Sequence, residues 1–260
     1  MNKARIERIL QNAEKYRTNT LGIKGHIIIN HSQTENQVIV SSELQDFTIQ
    51  ELQQIIVILM KMTVNEGDVA IVENDYFEIW SFVNYLIINS RKKLDSWFHN
   101  YNPLVAHLTS NICQEIKPKY IDQQNREYQN RILDSNSSHS FPMVWSGYAY
   151  LEGICRRICS SYVTTEGRIL HDFELDGGKY EARRNINSLK VMLNLTKAVV
   201  SNSTKNQLDE IFSIYTPNMI YKWRNSTLHG AGDIAIPVIV IYSLISILSL
   251  ELLIIINRDE

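Results

Sequence analysis

A single charged side chain, Glu251, interrupts the otherwise uncharged stretch IAIPVIVIYSLISILSLELLIII from Ile234 to Ile256. A helix that is apolar all round has two homes, a bilayer or the centre of a helical bundle. This one is long enough for either. Its flanks favour the bundle. No cluster of Lys or Arg lies on either side, and a carboxylate near the carboxyl end needs a partner or the headgroup region. Ser243, Ser246 and Ser249 recur every three residues and give one side a small polar stripe that suits close helix packing. Asp233 is the expected N-cap, and Pro237 falls in the first turn, where its missing N–H costs little. The expectation is a buried core helix and no membrane. A four-helix bundle covers about half of such a helix, so the rest points to a partner subunit or to the amino-terminal region.

The chain has 260 residues, enough for one large domain or two small ones. Its formal net charge of −2 argues against coating nucleic acid through the overall field, but leaves room for a local basic site. The three cysteines, Cys113, Cys155 and Cys159, form no disulfide framework, which suits a reducing, cytoplasmic setting. Cys155 and Cys159 lie four apart on an expected helix with no further ligands near them, so they read as small core residues. The seven histidines show no ligand spacing. No metal site and no cofactor are expected.

The fold class is mainly α. Residues 1–135 read as an α-rich region with a small hairpin, and residues 140–260 as a helical bundle. In the first part, residues 2–16 form an amphipathic helix. GHIIINHSQTENQVIVSS holds two β-rich runs about a polar centre. Thr48 caps the next helix with Glu51 three positions on, and Gly67-Asp68 ends it. Residues 76–101 form a second long helix, and the polar stretch 122–140 ends in a linker. In the second part, residues 143–163 form a helix with Tyr148, Leu151, Ile154, Cys155, Ile158 and Tyr162 near one face. A turn at Gly177-Gly178 precedes a helix over 185–200. A third helix covers 204–225, with a break near Thr216-Pro217. The apolar stretch is the fourth.

Between the third and fourth helices lies RNSTLHG, Arg224 to Gly230. Five positions apart on a continuous helix, Arg224 and His229 point about 140° away from each other. A turn between them brings them together, and Gly230 and Gly232 make an irregularity here natural. The residue types suit work on a phosphodiester: an imidazole titrates near neutrality, and a guanidinium fork matches phosphate oxygens.

The motif resembles that of the HEPN superfamily (higher eukaryotes and prokaryotes nucleotide-binding): an Arg, a polar residue that is often Asn, a few variable residues, then His, commonly followed by Gly. Here these are Arg224, Asn225, Ser226-Thr227-Leu228, His229 and Gly230, at the junction into the last helix, with the resemblance covering about Phe141 to Asn257. It implies a four-helix HEPN-like bundle and a metal-independent endoribonuclease acting on single-stranded RNA, of the toxin or anti-phage defence kind. It also implies a homodimer through the bundle, with an antitoxin or regulatory partner as a further possibility. Arg224, Asn225 and His229 are then catalytic. Glu152, on an earlier helix, is the candidate to hold Arg224, and Lys222 and Trp223 are candidates to contact RNA. The alternative within the resemblance is a non-catalytic module that binds a nucleotide or a protein.

Overall fold

The computed structural model of the chain describes residues 28–32, 35–39, 47–66, 144–229 and 235–258, together with the single positions 83, 86, 87 and 97. The expected helix over 2–16, most of that over 76–101, the stretch 122–140, Cys113, Asp233, Gly230 and Gly232 lie outside these residues. The protein is mostly helical, with six helices among the described residues and two short antiparallel ribbons. It divides into two compact units, Met1–His139 and Ser140–Glu260.

In the first unit, strand β1 (Ile28–Ser32) pairs antiparallel with β2 (Glu35–Ile39), in register from Ile28↔Ile39 to Ser32↔Glu35. Helix α1 (Ile49–Glu66) opens on the expected capping box. The Thr48 backbone N–H donates to Glu51 Oε2 at 2.8 Å, and the Glu51 N–H donates to Thr48 Oγ1 at 3.3 Å. Leu52, Ile55, Ile56 and Met60 bury one face of α1, and the expected break at Gly67-Asp68 lies outside the described residues.

The second unit carries five helices where the sequence suggested four. Helix α2 (144–158) buries Val144, Tyr148, Leu151, Ile154, Cys155 and Ile158. The segment that follows folds back as a small lobe, with bridges Val163↔Ile169 and Arg168↔Asn185 and a hairpin of β3 (Phe173–Leu175) and β4 (Gly178–Tyr180). The expected turn sits one residue earlier than Gly177-Gly178. Asp176 (φ 50) and Gly177 (φ 75) form the two-residue loop, and Gly178 belongs to β4. Positive φ at both central positions suits the right-handed twist of the strands, and Asp-Gly tolerates it well. The bridge at Asn185 holds that end of the lobe extended, so helix α3 (Leu189–Val199) starts later than residue 185.

The expected third helix is two helices, α4 (Asn202–Ile214) and α5 (Pro217–Leu228). Pro217 lacks a backbone N–H and disfavours a helical residue before it, and Thr216 is extended (ψ 152). The same residues restart the chain as a helix. Pro217 takes the first helical position, and Thr216 Oγ1 accepts from the Met219 N–H at 3.2 Å.

Helix α6 (Ala235–Arg258) is the apolar stretch, and every residue from Pro237 to Leu253 is buried. Among the described residues it is the one helix long and apolar enough to cross a membrane, over Ile236–Ile256, where mean hydropathy is 2.6. Several of its polar residues are engaged within the second unit. Ser249 meets the buried Tyr150 hydroxyl, Tyr242 meets Ser146, and Ser243 Oγ donates to the Ile239 carbonyl at 2.7 Å. Gly147 lets α2 come close, since a Cβ there would stand 3.0 Å from Tyr242 Cε2 and 3.1 Å from Ile241 Cγ2. Glu251, 1% exposed, reaches the start of α4. It accepts from the Ser201 N–H at 2.8 Å, Ser201 Oγ at 2.7 Å and Thr204 Oγ1 at 2.5 Å. A carboxylate at a helix N-terminus satisfies unpaired donors and favours the dipole. That is the partner the sequence demanded for this charge.

Cys155 and Cys159 are buried core thiols. Cys159 Sγ lies 3.4 Å from Thr196 Oγ1, and burial pushes its thiol up to about 12. No group of three or more His, Cys, Asp or Glu side chains among the described residues is arranged to hold a metal ion.

Candidate functional site

Helix α5 presents two faces. Ile220 and Thr227 point inward, while Met219, Lys222, Ser226 and His229 are exposed at spacings of three and four that mark the outward face. Arg224 lies toward the inner side and is 27% exposed. Opposite it, α2 places Trp145, Tyr148, Glu152 and Arg156 three or four positions apart along one face.

Glu152 is the hub of this junction. Its Oε1 accepts from Arg156 Nη2 at 2.6 Å, while its Oε2 lies 3.7 Å from Arg224 Nη2. Arg156 is pinned on its other side, where Nη1 donates to the Thr165 carbonyl at 3.0 Å. The short Arg156 contact is a charge-assisted hydrogen bond. The longer one is an ion pair that leaves the Arg224 fork with donors to spare.

Tyr148 lies beneath, 3% exposed, against Thr227 and Arg224. Burial raises its phenol above the ordinary range, opposed in part by Thr227 and the Arg224 charge. Its hydroxyl faces Thr227 without reaching hydrogen-bond geometry. At the end of α5, Trp145 Nε1 donates to the Thr227 carbonyl at 3.3 Å. That carbonyl is among the last four of the helix, which lack partners within it. Trp145 nevertheless stays 51% exposed, and Leu228 is 48% exposed.

The expected turn between Arg224 and His229 is absent. Helix α5 runs unbroken to Leu228, and His229 is its C-cap (φ −95, ψ 9), with its N–H on the Asn225 and Ser226 carbonyls at 3.2 and 3.1 Å. The rigid reach of the helix therefore extends one residue short of the histidine, and the two side chains leave the axis about 140° apart. No hydrogen bond or ion pair joins them among the described residues. Arg224 faces Glu152, His229 faces outward, and Asn225 sits half-buried between them. Lys222 is exposed, whereas the Trp223 ring packs on Tyr215 at 5.4 Å.

Sequence reasoning passed over Trp145 and gave Tyr148 only a place on one face of its helix. The available signal was their seven- and four-residue spacing from Glu152 on one helix face, which shows its meaning only once α5 is seen to lie against that face. The chain matches no family model, no curated protein and no solved structure.

Proposed function

We propose that the chain is a HEPN-type, metal-independent endoribonuclease that cleaves single-stranded RNA, working as a homodimer. The observation that carries this reading is the clasp of Arg224 by Glu152, at the end of a helix whose next residue but four is an exposed His229 leading into the buried last helix. A guanidinium held by one carboxylate oxygen at 3.7 Å is oriented and keeps donors for a phosphate.

In this mechanism the ribose 2′-OH attacks the adjacent phosphorus, and the bond to the 5′ oxygen of the next nucleotide breaks. The products are a cyclic phosphate and a free 5′-OH. His229 takes the 2′ proton or gives one to the leaving oxygen. Arg224 binds the phosphate oxygens as charge builds on them, and Asn225 hydrogen-bonds the phosphate or the imidazole. Within one chain the arginine and histidine diverge, so a shared cleft draws its arginine from one copy and its histidine from the other. The toxin or defence role follows from the same resemblance.

One observation favours the second reading, a non-catalytic module that binds a nucleotide or a protein: Arg224 already has an ionic partner and His229 stands apart from it. The two readings separate in one assay. Purified protein is incubated with single-stranded RNA in EDTA. The nuclease cuts, and both Arg224→Ala and His229→Ala abolish cutting while keeping the parent's melting curve. Equal cutting by both variants sinks the proposal. A rise in melting temperature with nucleotide and no cutting supports the binding module.

A further inference from the structure

The geometry points to Trp145 as a platform on which one unpaired RNA base stacks, next to the phosphate that Arg224 holds; this rests on the ribonuclease reading of the same site. Three observations carry it. First, an indole is large and apolar and is usually well buried, yet Trp145 is 51% exposed. Second, the ring is not adrift, because Nε1 is tied to the Thr227 carbonyl at 3.3 Å. A ring fixed at its edge, with half its surface open, has little freedom left to lose when a flat partner lands on it. Third, Thr227 lies three positions from Arg224 on α5, a rise of about 4.5 Å, so one nucleotide can reach both groups.

The charge around the ring selects the partner. Helix α5 and its cap carry Lys222, Arg224 and His229 and no carboxylate. The facing carboxylate, Glu152, is shared between Arg156 and Arg224. A polyanion with flat, unpaired bases fits such a surface, because base–aromatic stacking tolerates any sequence while cations hold the backbone. Trp223, which sequence alone put forward for this role, turns its ring to Tyr215.

The test uses the full chain and a fluorescein-labelled 2′-O-methyl oligouridylate, which lacks the 2′-OH nucleophile and so reports binding without cutting. Trp145→Leu should weaken binding about 5- to 100-fold, and Trp145→Phe, which keeps a ring, should retain most of the affinity. The parent should also bind a strand with abasic positions more weakly, a readout that needs no variant. Unchanged binding by Trp145→Leu, or no binding by the parent, overturns the platform. So does a Trp145→Leu chain that loses its dimer while each protomer still binds the strand, since the indole then belongs to a contact between copies. Trp145-dependent binding with no cutting of ordinary RNA by the parent leaves the platform standing and removes the ribonuclease.

Discussion

Glu152 divides its carboxylate between two guanidiniums, 2.6 Å from Arg156 and 3.7 Å from Arg224. The nearer arginine fixes the carboxylate, and the carboxylate in turn aims the farther arginine. Glu152→Gln keeps the shape and removes the charge. In the RNA assay it should slow cutting about tenfold or more, because small errors in placing a catalytic group are costly. Its effect on melting should be small, since all three side chains retain some contact with water. Arg156→Lys should act in the same direction, as a lysine cannot span Glu152 and the Thr165 carbonyl with a planar fork.

Mixing variants tests whether one site takes groups from two chains. Arg224→Ala and His229→Ala are each silent alone under the ribonuclease reading. Co-refolded in equal amounts, half of the dimers are mixed, and each of these holds one intact pair. Cutting should return to roughly a quarter of the parent rate. A mixture that stays silent places both groups in one chain.

Glu251 is where the second unit should be most sensitive to a single change. Replacing it with Ala removes the acceptor that takes the Ser201 N–H, Ser201 Oγ and Thr204 Oγ1 at the start of α4. The loss should be about 3–5 kcal/mol, read by urea denaturation. Glu251→Gln keeps an acceptor and should cost less.

Gly147 tests the close approach of α2 to α6. An alanine methyl would meet Tyr242 and Ile241, and the Tyr242 side chain is buried with little room to withdraw. Overpacking should cost about 1–3 kcal/mol, which outweighs the roughly 1 kcal/mol that Ala gains over Gly in a helix. A Gly147→Ala chain more stable than the parent would show that the two helices can part without loss.

Alkaline pH should destabilise the second unit. Burial raises the acid groups of Tyr148, Tyr150, Tyr242, Cys155 and Cys159. The folded chain therefore keeps protons that the unfolded chain gives up. This stabilisation is complete below the ordinary thiol value of 9.0 and is lost as pH climbs past it and past the ordinary phenol value of 10.0. Melting temperature should fall between pH 8 and 11. At pH 8, Cys155 and Cys159 should resist iodoacetamide in the native chain and react once it is unfolded, as peptide mapping can show.

Local chemistry made much of the fold legible. Thr48 and Glu51 announced a capping box, and the break at Thr216-Pro217 was visible because proline restricts its own backbone and its neighbour's. The apolar stretch announced a helix, and Glu251 announced that a partner was needed. The identity of that partner was hidden, since Ser201 lies fifty positions away and no periodicity connects the two. The hairpin at Asp176-Gly177 was visible only as a turn, because three-residue strands are too short to show alternation. At the site, the residue types of RNSTLHG were readable, but their directions were not. Whether a chain bends before or after a histidine depends on how its last carbonyls are satisfied, here by the His229 N–H and the Trp145 indole.

The unbroken course of α5 through Asn225 to Leu228 has one more consequence. Two reactive groups set on opposite flanks of a stiff rod cannot close on one atom by turning their own side chains. If they work together, a solitary copy is idle and activity must grow with the square of the amount present until pairing saturates. Dilution then becomes an off switch, and a rate that stays proportional to concentration down to the lowest levels would mean that the rod bends.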